Sequence, residues 1–322
     1  MKKLFLKSVI YSVLLLLMLE CLVRVFHLTK DYPVRFNDER GVEKWVPNQE
    51  GYSVTGIRRQ NFSEYRINQF GYNSYREYKP SIDKVELALV GDSFIEGFHQ
   101  PYYNSVGKKI ENQIDSLEVY EFGYAGYDLA DQLHLIHQYR ETFDLIDHVV
   151  IGLKFEGDLT RGKYGVLEYR MKLESPLYRS LRRIKLLVYL QNIGAFDSAR
   201  ELTRKMLSFG SQEQDYKIND YDGLKQKRYA AYLKNFETLI DTYGFDKSRF
   251  TFLLDKNNTP TMFLDYLNNH GFKYLDFSET LKQSKRPISL IYDMHWNNHG
   301  RTLIAKLITQ YIQSKAYETS SK

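Results

Sequence analysis

A single cysteine, Cys21, stands in the whole chain, so no internal disulfide framework is possible and cysteine says little about compartment. Its setting, Leu17-Met18-Leu19-Glu20-Cys21, lacks the small residues that a lipidation signal wants, and Glu20 excludes that reading. No long basic run occurs, and +5 is a modest net charge for 322 residues, so no nucleic-acid partner is expected. Internal repeats and low-complexity tracts are also missing, which excludes solenoids and biased linkers. What is present, 43% hydrophobic and 26% charged residues, is the composition of an ordinary globular protein. The length suits one large α/β domain with accessories. Aromatics are abundant, with 27 Tyr and 19 Phe, which suits a wet carbohydrate-facing surface or a Tyr-rich core. The core reading is the simpler one for most of them.

The uninterrupted apolar run at the N-terminus, Ser8–Leu19, is shorter than the ~20 residues of a spanning helix. Leu4-Phe5-Leu6 on one side and Leu22-Val23 on the other lengthen it if Lys7 and Arg24 snorkel to the interfaces. No small-x-small cleavage site follows. An uncleaved signal anchor over residues 1–27 is the first reading, a cleaved signal peptide the second and a buried amphipathic helix the third. Lys2, Lys3 and Lys7 ahead of the run place the N-terminus in the cytoplasm and the rest outside. The expected arrangement is therefore single-pass in the cytoplasmic membrane, with the folded domain beyond it.

Residues 28–80 are polar and Tyr-rich, and read as a lead-in packing on the edge of a domain that spans 81–318. Tyr65–Asn68 followed by Gln69–Tyr72 predicts a short strand and turn. Beyond it, apolar runs at Leu87–Val90, Val119–Gly123 and His148–Leu153 predict strands. Spaced apolar positions over Val106–Leu117 and Leu129–Tyr139 predict the helices between them. That alternation argues for a flavodoxin-like three-layer α/β/α fold with a mostly parallel sheet. Residues 159–222 break the rhythm and read as a helical insertion, with helices over Arg179–Tyr189 and Ala195–Leu207. It suits a cap over the site or a membrane-facing surface, although for any single charge a solvated basic face is the simpler reading. The alternation resumes with helix Gly223–Thr242, strand Arg249–Leu254, helix Pro260–Asn269, strand Lys273–Phe277 and a last helix from Asn298 to about Gln313.

Chemistry-bearing residues gather at the two ends of this domain. Gly91-Asp92-Ser93 ends the first apolar strand abruptly, with Gly97 behind it. A small polar residue at the carboxyl end of a strand sits where open α/β sheets place ligands. Ser93 is thus the candidate nucleophile, and it needs a base because its hydroxyl is weak at neutral pH. Asp293-Met294-His295-Trp296 stands just ahead of the last helix. On a loop, both Asp293 and His295 can turn inward, the carboxylate orienting the imidazole whose other nitrogen faces Ser93. Asp158 reads as a loop-ordering carboxylate. His99, His134, His137 and His148 have no motif context and read as surface or core residues. His295 and His299 have helical metal-pair spacing, but no third ligand is evident, so neither metal nor cofactor is expected.

These residues resemble the SGNH (GDSL-type) hydrolases over roughly residues 65–315: an Asn68-x-x-Gly71 lead-in, Gly91-Asp92-Ser93 with Gly97, and Asp293-x-His295 before a C-terminal helix. Asp293-x-His295-Trp296 is also similar to the signature of alginate-type O-acetyltransferases, although there it precedes the serine. The resemblance implies a Ser93–His295–Asp293 triad and an oxyanion hole from the Ser93 and Gly123 N–H groups. It also implies an Asn after the third strand, where this chain has Phe155-Glu156-Gly157-Asp158 and Gly157 stands at the Asn position. The Gly157 backbone N–H is the expected substitute. The implied activity is a serine esterase or O-acyl (acetyl) transferase on ester groups of envelope or secreted polysaccharide. A membrane acyl-donor protein is a further expected partner in the transferase case. The alternative is a weak or inactive carbohydrate-binding relative.

Overall fold

The computed structural model describes residues 1–56, 58–197 and 221–320. Its centre is a five-stranded sheet of β5 (Val85–Gly91), β6 (Leu117–Gly123), β7 (His148–Gly152), β8 (Phe250–Leu254) and β9 (Tyr274–Asp276). The spatial order is β6-β5-β7-β8-β9, and each neighbouring pair is parallel. Renumbered by appearance, that is 2-1-3-4-5, the flavodoxin-like order whose switch point lies beside the first strand. Alternation within β5 feeds two cores. Leu87 and Leu89 pack with Val106, Ile304 and Ile308, while Ala88 and Val90 pack with Phe122, Leu133 and Phe236. One layer therefore holds α3 (Val106–Glu111) and α9 (Asn298–Ser320), and the other α4 (Leu129–Gln138), α7 (Tyr221–Tyr243) and α8 (Thr261–Asn269).

Several elements differ from expectation. The helix expected over Val106–Leu117 stops at Glu111, because β6 already starts at Leu117 to match Val85 across the full length of β5. Tyr72, Tyr120, Tyr124 and Tyr127 are buried, so these tyrosines belong to the core. The expected strand at Tyr65–Asn68 begins earlier, as β4 (Asn61–Arg66) paired with β3 (Glu50–Thr55), after a smaller pair of β1 (Arg35–Asn37) and β2 (Glu43–Trp45). The turn at Asn68–Gly71 is held by Asn68 Oδ1, which accepts the Phe70 and Tyr72 N–H groups. Gly71 there has φ +95°. This lead-in does more than cover an edge. Trp45 Nε1 donates to Glu96, Asn73 Nδ2 to the Glu96 carbonyl and Asn61 Nδ2 to the His99 carbonyl, so it clamps the segment after Ser93.

Ahead of the lead-in, α1 (Lys2–Val25) is long and apolar enough to cross a membrane, with a mean hydropathy of 2.1 over its most apolar window. Only Val23 of this helix is buried. In the insertion, α5 (Pro176–Arg183) and α6 (Lys185–Asn192) replace the single helix expected at Arg179–Tyr189, breaking at Ile184, whose ψ is 95°. Most of the helix expected at Ala195–Leu207 lies outside the described residues.

Candidate active site

Strand β5 ends at the switch point, and the chain turns at once into α2 (Ser93–Glu96). Asp92 caps this turn, its Oδ1 accepting the Phe94 N–H at 2.9 Å. Ser93 is the first helical residue, so its own N–H has no intrahelical acceptor. At the other end of the domain, Asp293–Trp296 forms β11, antiparallel to β10 (Ser289–Leu290), rather than a loop. In a strand, residues two apart share a face, which is how Asp293 and His295 come to point the same way.

The two ends meet. His295 Nε2 lies 2.6 Å from Ser93 Oγ across 202 residues of sequence. On the other side of the ring, Nδ1 contacts Asp293 Oδ1, which also accepts the His295 backbone N–H at 2.9 Å. The tautomer that satisfies both contacts carries its proton on Nδ1 and leaves Nε2 to accept from the serine. Burial alone would raise the Asp293 pKa, but the hydrogen bonds from His295 outweigh it and hold the carboxyl below its ordinary value. Asp293 therefore stays an anion.

His99, expected to be an ordinary surface or core residue, is in the site. Its Nε2 lies 3.1 Å from Asp293 Oδ2, and its ring stacks on His295 with centroids 4.0 Å apart. Burial, followed by the repulsion of His295, pushes its pKa down to about 4. The ring is neutral near pH 7; its Nε2 faces the Asp293 carboxylate, and the buried Nδ1 has no hydrogen-bond partner among the described residues. His99, Asp293 and His295 offer donor atoms within 4.8 Å of one another, a set a divalent ion could address. The Asp293 carboxylate and both His295 ring nitrogens are already engaged within the site. His299, the other half of the suspected metal pair, bonds Ser284 at 3.0 Å instead.

The glycines fare differently. Gly123 lies so close to α2 that a Cβ built on it would come within 2.0 Å of the Glu96 backbone nitrogen. Gly157 falls inside the turn Phe155–Asp158, and its N–H donates to the Lys154 carbonyl at 3.2 Å. That amide is spent on the turn, so Gly157 does not take over from a missing Asn. Instead, the residue leaving β7 beside Ser93 is Lys154, whose ammonium bonds Asp92 Oδ2 at 2.5 Å and lies over the Phe94 ring. Asp158 accepts the Lys154 N–H at 2.7 Å, the loop-ordering part expected of it. Next to this turn opens a cavity of about 920 Å³, bordered by Phe94, Lys154, Phe155, Phe277, Met294 and Trp296.

Beneath the site lies Glu96, which is 3% exposed. Burial raises its pKa to about 7, although bonds from Trp45 and the Ala125 N–H oppose the shift. Unfolded, the group titrates near 4.5, so the folded state holds its proton longer. Stability from this group is fully present below about pH 4.5, falls as pH rises towards 7, and then stays lower by roughly 3 kcal/mol. Glu96→Gln cannot ionise. Thermal melts are expected to show it above the parent at pH 8 and level with it at pH 4.5, and a gap that does not change with pH would contradict this.

No family model matches the sequence, and no curated protein does. Among solved structures, the chain is similar to a member of the lipolytic G-D-S-L family from Veillonella parvula, at 15% identity and TM-score 0.37, over 70% of this chain and 97% of that one. A lipase/acylhydrolase from Enterococcus faecalis shares 12% identity at TM-score 0.40, over 72% and 97%. A carbohydrate acetylesterase family member from Sinorhizobium meliloti shares 9% at 0.32, over 71% and 98%. At such low scores these likenesses add nothing to the site geometry. The chain resembles the GDSL-type SGNH hydrolases, and any chemistry must be argued from Ser93, His295 and Asp293.

Proposed function

We propose that this protein is a serine esterase or O-acyl transferase, carried by one observation: Ser93 Oγ at 2.6 Å from an imidazole whose other nitrogen meets an anionic carboxylate. Ser93 Oγ attacks an ester carbonyl while its proton passes to His295 Nε2. Asp293 steadies the imidazolium. The Ser93 N–H, with Gly123 on the adjoining strand end as second donor, takes the oxyanion. Collapse of the tetrahedral intermediate breaks the bond to the alcohol, which leaves with the proton from His295. In hydrolysis, water then attacks the acyl-serine, His295 takes its proton and returns it to Ser93, and the acid departs. A sugar hydroxyl in place of water makes the same cycle a transfer. The substrate class we favour is the O-acetyl ester of an envelope or secreted polysaccharide, with a membrane acyl-donor protein in the transfer case. The cavity beside the Ser93 turn is bordered by Phe94, Phe277 and Trp296, an apolar wall against which a substrate could pack. We read α1 as the anchor that holds the domain outside the cytoplasmic membrane. A binding relative without catalysis would have no need of the 2.6 Å serine–imidazole contact.

The test is covalent. A fluorophosphonate should label Ser93, mapped by peptide mass, in a chain that also releases acetate from acetylated envelope glycans. Labelling at another residue, or none beside intact folding, would sink the reading.

His99 enters this scheme as a positioning residue. The approach of its Nε2 to Asp293 and its stacking on His295 brace the pair that Ser93 depends on. His99→Phe keeps a ring but removes the Nε2 that faces Asp293, and kcat is expected to fall about tenfold, or about 1.4 kcal/mol, with KM unchanged. His99→Gln, which supplies a donor, should recover part of it. An unchanged kcat in His99→Phe would remove His99 from the mechanism.

A further inference from the structure

Glu20 is the carboxylate that interrupts an otherwise apolar helix, and the structure shows what it does. Its two oxygens accept the N–H groups of Lys185 at 3.0 Å and Leu186 at 2.6 Å, the first residues of α6. One turn further, Arg24 donates to the Arg183 carbonyl at 2.5 Å. The α5–α6 junction is thus fastened to α1 between Glu20 and Arg24. At ~1.5 Å rise per residue, Glu20 lies about 27 Å along the helix from Lys2, close to the ~30 Å thickness of a hydrocarbon core. The junction stands where the helix would leave the lipid.

What this segment shows at that level is apolar. Leu177 and Leu181, one turn apart on α5, and Ile184 just past its end are 68%, 38% and 48% exposed. Tyr178 beside them is 49% exposed. Arg179 and Arg183 are exposed on the same short helix, whereas Arg182 is held by Glu174 and by the ring of Tyr32. Lys185 and Asn192 tie α6 to Asp31 and Thr29, so the pair is fixed to the stem that follows α1. A short helix with exposed leucines and arginines, held at the exit of a spanning helix, has the features of an interfacial element.

We propose that α5 lies in the headgroup layer of the leaflet from which α1 emerges, with Leu177, Leu181 and Ile184 in the acyl boundary and Arg179 and Arg183 on anionic headgroups. The inference rests on reading α1 as a spanning anchor, and its test separates the two. In a Cys21→Ser background, single cysteines replace Leu14, Leu177 or Leu181 of the full chain and carry an environment-sensitive fluorophore. All three side chains are exposed in the protein alone, so folding is not at stake. Each variant is reconstituted into phosphatidylcholine–phosphatidylglycerol vesicles containing nitroxide lipids. Emission at all three positions is expected to fall roughly twofold or more on contact with quencher. Quenching at Leu14 with none at Leu177 and Leu181 overturns the interfacial helix and leaves the anchor standing. Absence of quenching at Leu14 overturns the anchor, and the inference with it.

Discussion

Ser93→Ala is expected to lower kcat/KM for an activated acetyl ester by roughly 10⁴-fold or more, about 5.5 kcal/mol of transition-state stabilisation. The size of the effect follows from what remains. Alanine keeps the backbone N–H at the first position of α2, so the candidate oxyanion donor survives while the covalent step is lost. Ser93 is partly exposed and makes its one side-chain bond to His295, so the melting temperature should hardly move. His295→Ala should cost a comparable amount. The double variant should be little worse than either single one, because a nucleophile and its base act as a unit. Activity retained in Ser93→Ala, measured on protein whose melt matches the parent, would remove the nucleophile from this account.

Gly123→Ala is the second large effect, and it acts through space. The added methyl would meet the Glu96 backbone nitrogen at 2.0 Å and the Ile95 carbonyl carbon at 2.4 Å. Both are main-chain atoms of the turn that holds Ser93, and neither can swing aside as a side chain would. Overpacking of this kind costs about 3 kcal/mol, here with backbone displacement. At roughly 2–4 °C per kcal/mol, a fall in melting temperature of about 6–12 °C is expected. Esterase activity should fall with it even well below the melt, since α2 must move to admit the methyl. A fully stable Gly123→Ala, active or not, would contradict the close packing.

All five sheet strands were legible, the first three as apolar runs, and Ser93, Asp293 and His295 were legible because each sits in a local pattern. The chemistry hid in residues with no such pattern. His99 follows Ser93 by six residues but reaches Asp293 only because Asn61 and Ser63, from β4, hold the carbonyls of His99 and Phe98. No periodicity reports a clamp between a hairpin and a distant loop. Lys154 carries no motif of its own, and it is the strand end at Gly152 that brings it to Asp92. Asp293 and His295 were expected on a loop, since a four-residue strand paired with two residues leaves almost no alternating signal.

The separation of 202 positions between Ser93 and His295 also carries a temporal meaning. The first strand of the sheet supplies one partner, and the last hairpin, just before α9, supplies the other. Contacts of that span close late, after the intervening strands have paired. A polypeptide still leaving the ribosome therefore holds a serine without its base, and premature truncation anywhere before β11 yields an inert product. The enzyme we propose would gain its reactivity only when synthesis and folding are complete.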